Sequence, residues 1–118
     1  MPKLSTLLVL VLAGCSASLS PEDTDFGAHY QVLADPAPTI IGTALVVTLQ
    51  YGGCNGGHDF LLVSSTKNLS AQVWLKKRTP DQSCDMLITE ERGFDLPVEV
   101  SGALHVTLLS PSGSFTIR

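Results

Sequence analysis

A chain of 118 residues, 44% of them hydrophobic, is the right size for one globular domain. Eleven acidic against seven basic residues give a formal net charge of −4, a balance that argues against nucleic acid as a partner and against electrostatic adhesion to anionic lipid headgroups. With only three cysteines in the chain, how they are allocated largely decides the compartment and the fold.

The first element is a leader. Lys3 supplies one positive charge, Leu7-Leu8-Val9-Leu10-Val11-Leu12 is an apolar run, and the small residues Ala13 and Gly14 precede Cys15. The run is too short to cross a bilayer, which takes roughly 20 apolar residues. A buried core segment or a plain secretory peptide cut elsewhere would be the blander interpretations. Leu12-Ala13-Gly14-Cys15 resembles the lipobox of bacterial lipoproteins. That resemblance implies cleavage before Cys15 and acylation of its sulfur and amine, so that the lipid bilayer is the first partner. Two or more acyl chains anchor stably where one binds marginally, at about 0.8 kcal/mol per buried methylene. Ser16, where some lipoproteins carry Asp, implies sorting to the periplasmic face of the outer membrane in a Gram-negative cell envelope. The domain boundaries that follow are a signal peptide at 1–14, an acylated cysteine and flexible tether at 15–28, and a single domain at 29–118. The tether assignment rests on a Ser-rich, then acidic composition with Pro21 and few apolar residues.

Committing Cys15 to lipid leaves Cys54 and Cys84, which pair as a disulfide in an oxidising compartment. Metal ligation by Cys54, Cys84, His58 and Asp85 is the rival, but no Cys-x-x-Cys or His-x-x-x-His spacing supports it.

Beyond Asp35-Pro36-Ala37-Pro38 the pattern is β throughout. Thr43 to Tyr51 alternates, placing Leu45, Val47, Leu49 and Tyr51 on one face. Gly52 to Gly57 is turn chemistry, and a strand follows from His58 to Ser64. Val73 and Leu75 mark another, with Trp74, Lys76 and Arg78 on its opposite side; Lys76-Lys77-Arg78 reads as an exposed strand face. Thr79 to Ser83 turns, Cys84 to Glu90 forms a strand, and Arg92-Gly93 breaks it. Leu104, Val106 and Leu108 alternate along the next strand, and Phe115 and Ile117 share a face of the last. No stretch carries a useful helical period. The expectation is an all-β, antiparallel sandwich of about seven strands with one disulfide, an immunoglobulin-like arrangement being possible and a small β-barrel the alternative.

Gly52-Gly53-Cys54, His58-Asp59-Phe60-Leu61-Leu62, Asp81-Gln82-Ser83-Cys84 and Phe94-Asp95-Leu96 together resemble a group of small bacterial lipoproteins and secreted domains with two cysteines. The similarity runs from about Leu45 to the C-terminus. It implies the β-fold and the disulfide, and it transfers no mechanism, since the group has no assigned activity. Lys76-Lys77-Arg78 stands where a His-Asp pair is common in that group, which speaks against a shared metal site there.

His58-Asp59 is the one reactive pair near the cysteines, since histidine can serve as acid, base or ligand near neutral pH. The alternative is a ring packed on the bridge and bonded to a backbone carbonyl. Ser64, Ser65 and Ser83 lack a Gly-x-Ser-x-Gly elbow. His105 alternates outward and His29-Tyr30 has no evident partner. Asp81, Asp85, Glu90, Glu91 and Asp95 lack calcium-loop spacing. Trp74 beside Lys76 and Arg78 either forms a cation–π surface for a partner or lies under a neighbouring strand or the tether. The functional expectation is a non-enzymatic, membrane-anchored lipoprotein with an interaction or envelope-structural role, no cofactor beyond its lipid, and an envelope protein as partner. The alternative is a binding module, such as an inhibitor of an envelope-targeting hydrolase or a small-ligand carrier.

Overall fold

The structure is a computed structural model and describes residues 19–118; the expected signal peptide, lipobox and acylated Cys15 lie outside the described residues. Among the described residues, eight strands form two sheets. In the first sheet, β1 (Gln31–Val32) and β2 (Thr39–Ile41) pair with successive parts of one edge of β3 (Ala44–Gly53), and β6 (Met86–Asp95) pairs with its other edge, all antiparallel. The second sheet has the order β4 (Phe60–Lys67), β5 (Ser70–Lys77), β7 (His105–Ser110), β8 (Gly113–Thr116). The sheets do not close into a barrel, and the molecule is a sandwich.

Side-chain alternation builds the interior. Leu45, Val47, Leu49 and Tyr51 project from β3 at no more than 2% exposure. Ala71, Val73 and Leu75 of β5 and Val106 and Leu108 of β7 meet them from the other sheet, all at 2% or less. Each such Leu or Val contributes about 1.5–3 kcal/mol by leaving water. Two-residue turns join the hairpins. Gly42 takes a left-handed φ of 64° between β2 and β3, and Asn68 takes 59° between β4 and β5, a conformation asparagine adopts more readily than most.

Several local expectations are corrected. β5 and β7 run parallel, so the sandwich is not purely antiparallel. Arg92-Gly93 does not end a strand: β6 continues to Asp95, with Gly93 paired to Val46 and Arg92 to Val47. Cys84 precedes β6, which begins at Met86, and β4 begins at Phe60. A one-turn helix, α1 (Val98–Ser101), closes the end of the core with the fully buried Val100. The Arg118 guanidinium satisfies the carbonyls around it, donating through Nη2 to Val100, Ser101 and Ala103 at 3.2, 3.0 and 2.8 Å.

Lys77 is not on an exposed face. It occupies the inward set of β5, two residues beyond Leu75, at 2% exposure. The stretch from Leu19 to Ala28, expected as tether, lies along β5 as a strap. The Leu19 N–H and carbonyl bond the Gln72 side-chain amide at 2.9 Å each. Lys77 N–H donates to the Phe26 carbonyl at 2.8 Å and Ala28 N–H to the Lys77 carbonyl at 3.1 Å. Gly27 permits this approach, because a Cβ there would stand 2.2 Å from the Lys77 carbonyl oxygen.

Candidate functional site

The conspicuous polar cluster lies where β3, β4 and β6 meet beneath the disulfide. Cys54 and Cys84 are bonded, with their Cα atoms 4.9 Å apart, so neither offers a free thiolate. Tyr51, at the inward end of β3, donates its phenol to Glu90 Oε2 at 2.6 Å and accepts the His58 N–H at 3.2 Å. Glu90 Oε1 accepts the Gly57 N–H at 3.2 Å. Arg92 Nη1 donates both to Glu90 Oε2 at 2.7 Å and to the His58 carbonyl at 3.0 Å, while its guanidinium lies 5.5 Å from the Phe60 ring centroid. The loop between β3 and β4 is thereby fastened to β6 by backbone and side-chain bonds that converge on one carboxylate.

His58 faces inward at 3% exposure, its ring 4.4 Å from that of Tyr51. Nε2 lies 3.2 Å from Gln82 Oε1, which also accepts the Cys54 N–H at 2.7 Å. An amide oxygen can only accept, so the network places a proton on Nε2, while Nδ1 has no hydrogen-bond partner among the described residues. Gly53 makes room: a Cβ would come within 2.9 Å of the imidazole. Asp59 turns away to the surface, where its carboxylate meets Arg78 Nε at 3.3 Å. The predicted pair therefore does not converge. His58 bonds a side-chain amide where a backbone carbonyl was expected.

The ionisation states follow from these surroundings. Burial alone would raise Glu90, but hydrogen bonds from Tyr51, Arg92 and Gly57 outweigh it and hold the carboxyl below its usual range. Burial, reinforced by the Glu90 anion, pushes the Tyr51 phenol up. Burial lowers Lys77, against a smaller opposing pull from Asp81. Its Nζ donates to the Thr79 carbonyl at 2.8 Å and stands 5.2 Å above the Tyr51 ring. Asp81 is lowered by hydrogen bonds from His29, whose Nδ1 is 2.6 Å away. Tyr51 and His58 are both withdrawn from solvent, so what this cluster does best is weld a loop to a strand. Among the described residues, no group of three or more His, Cys, Asp or Glu side chains could hold a metal ion.

Trp74 lies elsewhere, on the outer face of the second sheet. It is half-buried and pairs across strands with Val63, as Lys76 does with Leu61. Together with Leu19 and Asp25 of the strap, these four enclose much of a groove of about 440 Å³. Asp25 and Lys76 form an ion pair at 3.0 Å, which holds the Asp25 carboxyl below its usual range. The sequence reading that sets Trp74 against the tether matches the strap beside it, but not the open groove that this contact leaves. His105 is exposed, as its alternation predicts.

No helix among the described residues is long and apolar enough to cross a membrane. Comparison of the chain with protein-family models, with curated proteins and with solved structures finds no match.

Proposed function

We propose that the protein is a non-enzymatic lipoprotein of the cell envelope, acylated at Cys15, whose domain binds an envelope protein through the outer face of the second sheet. In a Gram-negative cell its place would be the periplasmic face of the outer membrane. The observation that carries the binding role is the groove around Trp74, an indole set beside Leu19, Leu61 and Val63, flanked by the Asp25–Lys76 ion pair and walled by a strap that is itself hydrogen-bonded in place. Such a surface offers an aromatic anchor at little ordering cost. The absence of an enzymatic role is supported by the way Tyr51, His58, Glu90 and Arg92 are committed to one another and to the loop backbone.

A second reading has its own observation. Residues 54–57 are exposed yet pinned, by the disulfide at one end and by the Gly57 bond to Glu90 at the other. A loop held ready in this way suits an inhibitor that inserts it into a hydrolase.

One experiment addresses both. A photocrosslinking side chain is placed at Leu61 in the groove or at Asn55 in the loop, in the bacterium that makes the protein. Adducts from Leu61 alone support the groove, adducts from Asn55 alone support the loop, and none from either removes the binding proposal. Mass spectrometry of the purified protein tests acylation separately: an unmodified Cys15 overturns the anchor.

A further inference from the structure

Among the described residues, four of the eight large apolar side chains left exposed sit at one end of the sandwich: Ile41 at 64%, Leu69 at 57%, Val98 at 84% and Leu104 at 59%. Topology brings them there. Ile41 borders the β2–β3 turn and Leu69 the β4–β5 turn, while Val98 opens α1 after β6 and Leu104 precedes β7. The Leu69 carbonyl accepts the Leu104 N–H at 2.8 Å, which makes those two contiguous. The charged residues facing the same end are Lys67, Asp95, Glu99 and Arg118, two of each sign, so it has no strong charge of its own.

The strap relates this end to the anchor. Leu19 is clamped to Gln72, and from there the strap climbs β5 to Lys77. Cys15 is four residues before Leu19, a reach of at most about 14 Å. Leu69 is three residues down from Gln72, about 10 Å at strand rise. The opposite end lies beyond Lys77, five residues up and about 17 Å away by the same rise. Of the two ends, the apolar one is the nearer to Cys15.

We infer that the domain stands end-on upon the bilayer, with Ile41, Leu69, Val98 and Leu104 resting in the interfacial region. The occupant of this surface is lipid, and the contact is hydrophobic, as an acidic domain requires. The inference rests on Cys15 being the anchor. It also deepens that reading, because it leaves the Trp74 groove on the flank and the loop at 54–57 at the top, both open to the envelope space.

The test supplies the anchor chemically, so that it does not depend on natural acylation. With Cys54 and Cys84 bridged, Cys15 is the one thiol left in the mature chain for a maleimide lipid. The conjugate is inserted into zwitterionic phosphatidylcholine vesicles containing bromine-labelled acyl chains, which quench tryptophan on contact. Three proteins are compared: the native chain, reporting from Trp74; W74F/L104W, reporting from the apolar end; and W74F/S112W, reporting from the far end. Leu69, Leu104 and Ser112 are exposed and Trp74 is half-buried, and near-native circular dichroism checks the fold. The expected result is loss of emission with a blue shift for L104W alone, reversed by adding Leu69→Glu. Loss at Trp74 would mean the domain lies on its side, and no loss at any position would mean it floats free; either overturns the inference. So does self-association of a Cys15→Ser protein that Leu69→Glu abolishes, since the apolar end would then be a contact between copies. Failure here with a naturally acylated Cys15 leaves the anchor standing, whereas an unmodified Cys15 removes the anchor and the end-on docking with it.

Discussion

Glu90 is the place where one substitution tests the most. Its carboxylate receives Tyr51, Arg92 and the Gly57 backbone, and Glu90→Ala removes all three while leaving the Arg92 guanidinium without its anion. Breaking a fully buried pair costs about 3–5 kcal/mol, and an exposed pair is worth about 0–1 kcal/mol. The Glu90 and Arg92 side chains are 21% and 28% exposed, between those limits, so we expect a loss of about 2–3 kcal/mol from combining the two. In urea this is a fall in midpoint of about 1–2 M. Glu90→Gln keeps the shape and some of the hydrogen bonds and should lose about half as much. The pH dependence provides the sharper control. Glu90 is held below its ordinary value of 4.5 in the fold. Its contribution is therefore complete above that value and disappears as pH falls through the lower, folded one. Glu90→Gln lacks this dependence, so the gap between wild type and Glu90→Gln should close on acidification. An alanine variant within about 0.5 kcal/mol of wild type, or a gap that stays constant through acid, would refute the idea that this carboxylate organises the loop.

Removing the disulfide by Cys54→Ala with Cys84→Ala reopens a loop of sequence separation 30; chain entropy gives a loss of about 3–4 kcal/mol, measurable by the same denaturation. Gly27→Ala should force the strap off Lys77 and cost about 1–3 kcal/mol, seen as new protease cleavage after Glu22, and continued resistance would contradict the close approach. Lys77 is lowered from 10.5 by burial, so the unfolded chain binds more protons in the window below 10.5 and stability should rise with pH there. Lys77→Met should abolish that rise in denaturation measured from neutral to alkaline pH. A rise that survives the substitution would place its source elsewhere.

Much of the sandwich is visible in side-chain alternation. The face of β3 carrying Leu45, Val47, Leu49 and Tyr51 is read correctly because burial on one side leaves a period of two in the chain, and the cysteines pair as expected. Where the structure departs from the pattern, the reasons are physical. Lys77 shares the parity of Ala71, Val73 and Leu75, and one further step of the same alternation would have placed it inside; its charge argued the other way. Arg92-Gly93 looks like a break, yet an arginine can face inward on an edge strand when a carboxylate and a carbonyl receive it. The parallel pairing of β5 with β7 leaves no trace in either strand, since alternation tells faces and not neighbours. α1 is too short to show a helical period. The Trp74 groove depends on a contact between residues as far apart as Leu19 and Gln72, which no local pattern encodes.

The order in which the chain visits its two sheets bears on how it can fold. β3 waits for β6 across the whole β4–β5 hairpin, and β5 waits for β7 across β6 and α1. β1, β2 and β3 are consecutive and can pair early, but neither sheet can be finished before the chain has committed strands to the other, so the inward face of β3 stays uncovered until β5 and β7 are in place. With so many of its pairings distant in sequence, acquisition of the native state should be slow for its size and all-or-none. A nick or truncation anywhere between β3 and β7 would leave no smaller domain behind.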